Sequence, residues 1–327
     1  MNNEFDWIKS VTPTKTYRSS VKVGIGDDAA IYSHGPNEES VVAVDTMVEG
    51  VHFRKDTMPI KSIGYKVLAV NLSDMAAMGA SPRYFLVSIA IPKQGWSLEE
   101  TTEIYAGMNE LAERWQIDLI GGDTVSTKGP LVITVTVIGS VITGKRLLRS
   151  NAKPADIVFT TGQLGLSAYG LEMLLETGLK VMEDISLRPF MKAHQKPEPQ
   201  LEAGSLLVDS GYRISLNDIS DGIAHEAKEI AGASDVDIII DWDKLVIREE
   251  FLEHSLEKQE EWVLYSGEDF HLVGTMSEAD FEKISLVFKE HDLQIYAIGN
   301  VETGEGRVFL ERRGNRSPIK KAGYHHF

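Results

Sequence analysis

Residues 131–141 read LVITVTVIGSV. β-Branched residues dominate and the pattern has period two, so the stretch is a long strand. Directly after it, residues 143–156 (TGKRLLRSNAKPAD) turn basic and turn-forming. A domain boundary belongs there, giving an N-terminal domain over 1–146 and a C-terminal domain over 147–327. The length of 327 residues fits that division at roughly 150 residues per domain.

Back from this strand, helix-like and strand-like segments alternate. Residues 41–46 (VVAVDT) form a buried strand ending in an aspartate. Residues 61–78 are apolar at Ile63, Val67, Val70, Met75 and Met78, close to helical spacing, and stop at Gly79. Residues 84–92 (YFLVSIAIP) form a strand closed by proline. Ser97 and Glu100 make a capping-box pattern, and the helix they open carries Ile104, Met108, Leu111 and Trp115 on one face. Residues 117–121 form a short strand running into a Gly-Gly-Asp turn. Beyond the boundary the spacing predicts a strand over 157–161, a helix over 164–176 and an irregular, proline-containing stretch over 182–199. A helix over 200–209, a helix ending at Ala231, a strand over 236–241, a helix near 249–258 and strands near 269–275 and 294–301 follow. β-Branched strands interleaved with amphipathic helices in both halves give an α/β (α+β) fold in two domains.

Hydrophobic residues make up 43% and charged residues 25%, the ordinary mixture for a globular protein. Lys and Arg number 33 against 49 Asp and Glu, a formal charge of −16. A surface so acidic repels nucleic acid and anionic lipid, so neither is expected as a partner. An anionic small substrate would need metal ions or a local basic group beside it. There are no cysteines, which removes disulfides, thiolate nucleophiles and cysteine-ligated metals. The N-terminus, MNNEFDWIKS, is acidic and lacks an apolar run, and no stretch reaches the ~18 apolar residues of a membrane span. The cytoplasm is the expected compartment.

The chemistry gathers on aspartates set beside glycine or small residues: Asp27 and Asp28 in GIGDDAA, Asp45 in VDT, Asp74 in NLSDM and Asp123 in GGDT. Asp218 and Asp221 lie in NDISDG, and Glu268 and Asp269 in SGEDF. Aspartate is also favoured at turns and helix N-caps, so no single one of these decides anything. As a set they offer oxygen-only ligands from separate loops. That suits Mg²⁺, which takes a few carboxylates together with substrate phosphates. GIGDDA only superficially resembles a dinucleotide fingerprint, because two carboxylates would repel a pyrophosphate without metal between. There is no P-loop, no kinase His-Arg-Asp and no Gly-x-Ser-x-Gly elbow. Arg149 in LLRS reads either as a solvated linker charge or as a guanidinium clamp on phosphate. By spacing alone, His52 is a structural histidine and Tyr105 a packing residue. The terminal GYHHF is either a frayed tail or an aromatic that stacks on a flat substrate.

The order GIGDDAA, VAVDTMVEGVHF, NLSDMAAMGA, LIGGDT, LLRSNAKPAD, NDISDG, SGEDF and GYHHF resembles the thiamine-monophosphate kinase family. That family lies within the aminoimidazole ribonucleotide synthetase-like ATP-binding superfamily. The resemblance runs from about residue 20 to the C-terminus. GDD and DxSDG alone indicate only the superfamily; VEGVHF, NLSDMAAMG and SGEDF together are more specific. The resemblance implies an N-terminal ATP- and Mg²⁺-binding domain that dimerises through its strands, and a C-terminal α/β domain covering the site. It implies several Mg²⁺ ions, ATP as co-substrate, thiamine monophosphate as acceptor and thiamine diphosphate as product, by direct in-line transfer. The metal ligands it implies are Asp27, Asp45, Asp74, Asp123, Asp218 and Asp221, with Asp27, Asp45, Asp74 and Asp221 acting catalytically through metal. ATP contacts fall on Tyr105, Gly122, Asp123, Arg149 and Ser220, and thiamine-phosphate contacts on His52, Glu268 and Tyr324. Relatives often carry a hydroxyl residue where this chain has Val44, and tryptophan where it has Tyr324.

Other readings stay open at this point. One is another ATP-dependent enzyme of the superfamily, such as a purine-pathway synthetase. The branches that rely on cysteine or selenocysteine are disfavoured by the absence of cysteine. Another is a non-catalytic Mg-nucleotide-binding dimer.

Overall fold

A computed structural model describes residues 10–13, 15–23, 31–32 and 35–321. Asp27, Asp28 and Tyr324 lie outside the described residues. After a short antiparallel pair, β1 (Val21–Val23) and β2 (Ile31–Tyr32), the first half forms a four-stranded sheet. Its strands are β3 (Glu38–Val48), β4 (Ser81–Pro92), β5 (Asp118–Thr127) and β6 (Val132–Ile142), in the order β3-β6-β4-β5. Only the β4–β5 pair is parallel. Alternation fixes the two faces. Val41, Ala43 and Met47 of β3 turn inward with the buried Ile133, Val135 and Val137 of β6, while Val42 and Val44 turn outward.

Two helices, α1 (Ile60–Ala77) and α2 (Leu98–Trp115), cover the inward face. The capping box at the start of α2 is present: Ser97 Oγ accepts from Glu100 N at 3.1 Å, and Glu100 Oε2 accepts from Ser97 N at 2.8 Å. Ile104, Met108 and Leu111 are buried as the period requires, and Trp115 is half-buried. α1 is apolar nearly all round, the mark of a helix enclosed on every side. Gly107 lets its neighbour approach closely: a Cβ there would lie 1.9 Å from Lys61 O. Its far side packs on the second half, through α5 (defined below) at Gly204, where a Cβ would lie 2.4 Å from Ala76 O.

The second half holds α3 (Leu166–Thr177), α4 (Arg188–Gln195), α5 (Leu201–Asp209), α6 (Ile223–Ser234), the one-and-a-half-turn α7 (Leu256–Glu260) and α8 (Glu278–Glu290). Its strands are β7 (Ile157–Thr160), β8 (Ser215–Asp218), β9 (Val236–Asp241), β10 (Leu272–Met276), β11 (Tyr296–Thr303), β12 (Val308–Arg312) and β13 (Asn315–Pro318). They form one mixed sheet ordered β13-β12-β9-β11-β7-β10-β8. The molecule is thus two α/β units, with α1 packed between them.

Several expectations change. Gly121-Gly122-Asp123 is not a turn but the middle of β5, in parallel register with Leu86, Val87 and Ser88. The glycine serves a close approach there, since a Cβ on Gly122 would lie 2.1 Å from Val87 O. The stretch over 182–199 is not wholly irregular, because α4 forms inside it with Pro189 in the first turn, where its missing N–H costs nothing. The helix near 249–258 is two short pieces running on into a π-helical turn, Glu261–Tyr265. α8, β12 and β13 were not anticipated. Among the described residues, no helix is long and apolar enough to cross a membrane.

Candidate active site

Asp45 and Asp74 meet where the C-terminal part of β3 passes α1. Asp45 lies on the inward face of the sheet, its carboxyl close enough to that of Asp74 for the two to couple. Burial pushes both up, and Asp74 reaches about 8 because Asp218 and Asp45 add their charges to its desolvation. Asp218, buried at the end of β8, is pushed up to about 6 by desolvation. It accepts from Ser73 Oγ at 2.8 Å, a bond joining the first half to the second. Arg149 stands close enough to lower both Asp74 and Asp218. Its Nε donates to Asn217 Oδ1 at 3.0 Å, and its Nη1 to Glu229 Oε2 at 3.1 Å.

The NDISDG loop continues this surface. Gly222, at φ 101°, occupies a conformation open essentially to glycine and starts α6. One turn on, Glu226 folds back over the loop. Its Oε1 accepts from Asp221 N at 3.1 Å and Ser220 Oγ at 3.2 Å, and its Oε2 accepts from Asn217 Nδ2. Burial, then the charge of Asp218, pushes Glu226 up to about 8. Ligand atoms of Asp221, His225 and Glu226 all lie within 4.8 Å of one another.

The SGEDF loop is laced to NDISDG. Glu268 N donates to Ser220 O at 2.8 Å and Phe270 N to Ile219 O at 2.9 Å. A Cβ on Gly267 would lie 2.0 Å from Ser220 O. Glu268 and Phe270 sit at φ 66° and 50°, strained for residues bearing side chains. The Glu268 carboxylate contacts Lys66 Nζ at 2.9 Å and His194 Nδ1 at 3.2 Å. Although burial opposes it, the Lys66 ammonium beside it holds this carboxyl well below the usual range. Asp269 turns the other way. Its Oδ2 accepts from Gly165 N at 2.8 Å, at the N-cap of α3, a structural task.

The remaining sequence-predicted residues are spread more widely. His52 follows β3 in a tight turn, where its Nδ1 accepts from Val48 N at 3.0 Å, which leaves the ring proton on Nε2. Tyr105 is buried on α2, and desolvation pushes its hydroxyl up to about 12. Asp123 pairs with Ser88 on the outward face of the sheet. β5 and β3 are opposite edges of that sheet, about 14 Å apart at three inter-strand spacings, so Asp123 does not join Asp45 and Asp74 within the chain. Val44 points outward, away from Asp45. Sequence reasoning missed Ser73, Lys66, His194, Asn217 and Glu226. The one available sign was a lysine inside the apolar run IGYKVLAVNL.

The donor set is oxygen-rich and acidic, with buried carboxyls raised by desolvation and by one another's charge. Such a site fits Mg²⁺.

Models of the N- and C-terminal domains of AIR synthase related proteins match residues 26–141 and 153–311, one on each of the two α/β units. Within that class the chain belongs to the thiamine-monophosphate kinase family. It is 46% identical to the thiamine-monophosphate kinase of Bacillus subtilis (strain 168) over 326 residues, 99% of each chain. It superposes on the crystal structure of thiamine-monophosphate kinase from Stenotrophomonas maltophilia K279a with a TM-score of 0.83 at 31% identity, covering 95% of this chain and 96% of that one. A solved complex of AaThiL with AMPPCP and TMP matches with a TM-score of 0.76 at 27% identity, over 99% and 96% of the two chains.

Proposed function

We infer that the chain is an ATP-dependent kinase that converts thiamine monophosphate to thiamine diphosphate, leaving ADP. A phosphate oxygen of the acceptor forms the new bond to the γ-phosphorus of ATP. The bond from that phosphorus to the β–γ bridging oxygen breaks, and its electron pair leaves with ADP. The attacking ester has a second pKa of about 6 and is largely ionised at neutral pH, so no general base is required. The difficulty is repulsion between two polyanions, about 1 kcal/mol per unit-charge pair at 4 Å in water and several times that near protein. Mg²⁺, when bound, supplies the neutralising charge.

On this reading Asp45, Asp74, Asp218 and Asp221 hold the metal, with Asp27 added from outside the described residues. Arg149, fixed by Asn217 and Glu229, presents a planar fork to a phosphate, and Ser220, held by Glu226, adds a hydroxyl from the NDISDG loop. Gly122 and Tyr105 complete the ATP contacts, and His52, Glu268 and Tyr324 take the thiamine ester. Residues 1–146 act as the ATP- and metal-binding domain and 147–327 as the covering domain. The outward face of the four-stranded sheet carries Val42, Val44 and Val125, all exposed, and a second copy of the chain covers it. Asp123 shares that face, so its role as a ligand depends on the dimer. We place the reaction in the cytoplasm.

The observation that carries the reading is the gathering of Asp45, Asp74 and Asp218 from three distant segments against one helix, with Arg149 beside them. The test is product analysis after incubation with Mg-ATP and thiamine monophosphate. Thiamine diphosphate and ADP in equal amounts are expected, with none after chelation of Mg²⁺. Mg-ATP binding without transfer would leave only a nucleotide-binding protein.

A further inference from the structure

Lys66 is a lysine that solvent does not reach at all, in the middle of α1. Burying an ammonium costs several kcal/mol, and an apolar side chain of that size would serve packing better. Its nitrogen makes no well-aligned hydrogen bond among the described residues; what holds it is the charge of Glu268, 2.9 Å away. The second oxygen of Glu268 is met by His194, itself 2% exposed, whose Nδ1 also lies 3.3 Å from Ser167 Oγ. Of the three, only Glu268 is open to solvent, at 29%. Its backbone is pinned at φ 66° by Ser220 O. An approaching ligand therefore meets a carboxylate whose direction is set from behind by Lys66 and His194.

We propose that Lys66 is a positioning residue for the thiamine ester, keeping the Glu268 carboxylate ionised and fixed on the ligand-facing side of a buried triad. The proposal rests on the reading that Glu268 contacts that ester. Thiamine carries a permanent positive charge on its thiazolium ring, and an ionised carboxylate attracts it where a neutral acid does not. Lys66 also shares α1 with Ser73 and Asp74, so one rigid helix sets the spacing between the carboxylate cluster and Glu268.

The titratable and charged groups around Glu268 are Lys66 from α1, His194 from α4 and its neighbour Asp269. Burial and Lys66 both disfavour a charged His194, and Asp269 is pushed up to about 7 by burial. Without Lys66, only the His194 contact remains to hold the Glu268 proton off against burial, and the carboxyl rises. In Lys66→Met the KM for thiamine monophosphate should rise by about tenfold at pH 7 and fall back towards the native value at pH 9, where the carboxyl is ionised again. The KM for ATP should not change. Lys66→Arg should keep most of the native KM. Glu268→Gln should raise the KM equally at both pH values, and adding Lys66→Met to it should raise it no further. Mg-ATP binding by each variant verifies folding, and the isosteric neutral pair Lys66→Met/Glu268→Gln serves where the single variant does not fold. A native KM in Lys66→Met, an increase that persists undiminished at pH 9, or additive losses in the double variant would overturn the proposal. A native KM in Glu268→Gln would instead remove Glu268 from the substrate site.

Discussion

Asp74 concentrates the cost of the site. It is pushed up to about 8, where an unfolded aspartate titrates near ~3.9. Between those values the folded chain binds a proton that the unfolded chain does not, so stability falls as pH rises across that window. Asp45, Asp218 and Glu226, all raised, act in the same direction. The metal-free protein should therefore melt at progressively lower temperature from pH 5 to pH 8, and Mg²⁺ should recover more at pH 8 than at pH 5. Asp74→Asn should flatten the metal-free profile, because it removes one of the repelling charges, while cutting turnover by about 100-fold or more. Calorimetry with and without chelator measures the first, a kinase assay the second. A metal-free melting temperature independent of pH would contradict the repulsion. At this scale the aspartates were legible because each stands beside glycine or a small residue at the end of an apolar run. Lys66 and His194 were not, because single residues in helices carry no spacing that betrays a partner 202 or 74 positions away in the chain, as Glu268 is.

α1 was legible as an element from its spacing, and the capping box of α2 from two residues. What the sequence hid was how the elements approach one another. Gly64 and Gly107 look like weak points in two helices. In the structure they are where α1 and α2 come nearly into backbone contact: a Cβ on Gly64 would lie 1.7 Å from Ile104 O, and one on Gly107 1.9 Å from Lys61 O. The same cause misled the reading of β5, where two glycines suggest a turn but admit the neighbouring strand. α8 begins at Ser277, whose Oγ accepts from Asp280 N at 3.3 Å, a cap that sequence reading passed over. Gly107→Ala should push α2 away from α1 and cost about 3 kcal/mol, measurable by urea unfolding. Turnover should fall with it, because α1 carries Ser73 and Asp74. An alanine variant as stable as the parent would show that the helices separate freely.

The chain carries a formal charge of −16, yet the outward face of its four-stranded sheet exposes valines on both edge strands. Val42, Val44 and Val125 are 61%, 60% and 48% exposed, beside Thr134, Thr136 and Ile138 of β6 in the same alternation. A sheet face in water ordinarily alternates to polar side chains, and a strand as long as β3 at a sheet edge invites pairing. A second copy laid against this face would bury the valines and bring Asp123 into a shared interface. Val44→Lys places an ammonium on that face without touching Asp45, which points the other way. The native chain should sediment at twice its own mass and Val44→Lys at its own mass, with the melting temperature lowered. Because Asp123 shares the outward face with these valines, the separated chain should also lose ATP affinity while its far-ultraviolet dichroism stays native. A native chain that sediments as a single copy at micromolar concentration would leave the exposed valines without a partner, and Asp123 without a path to the metal.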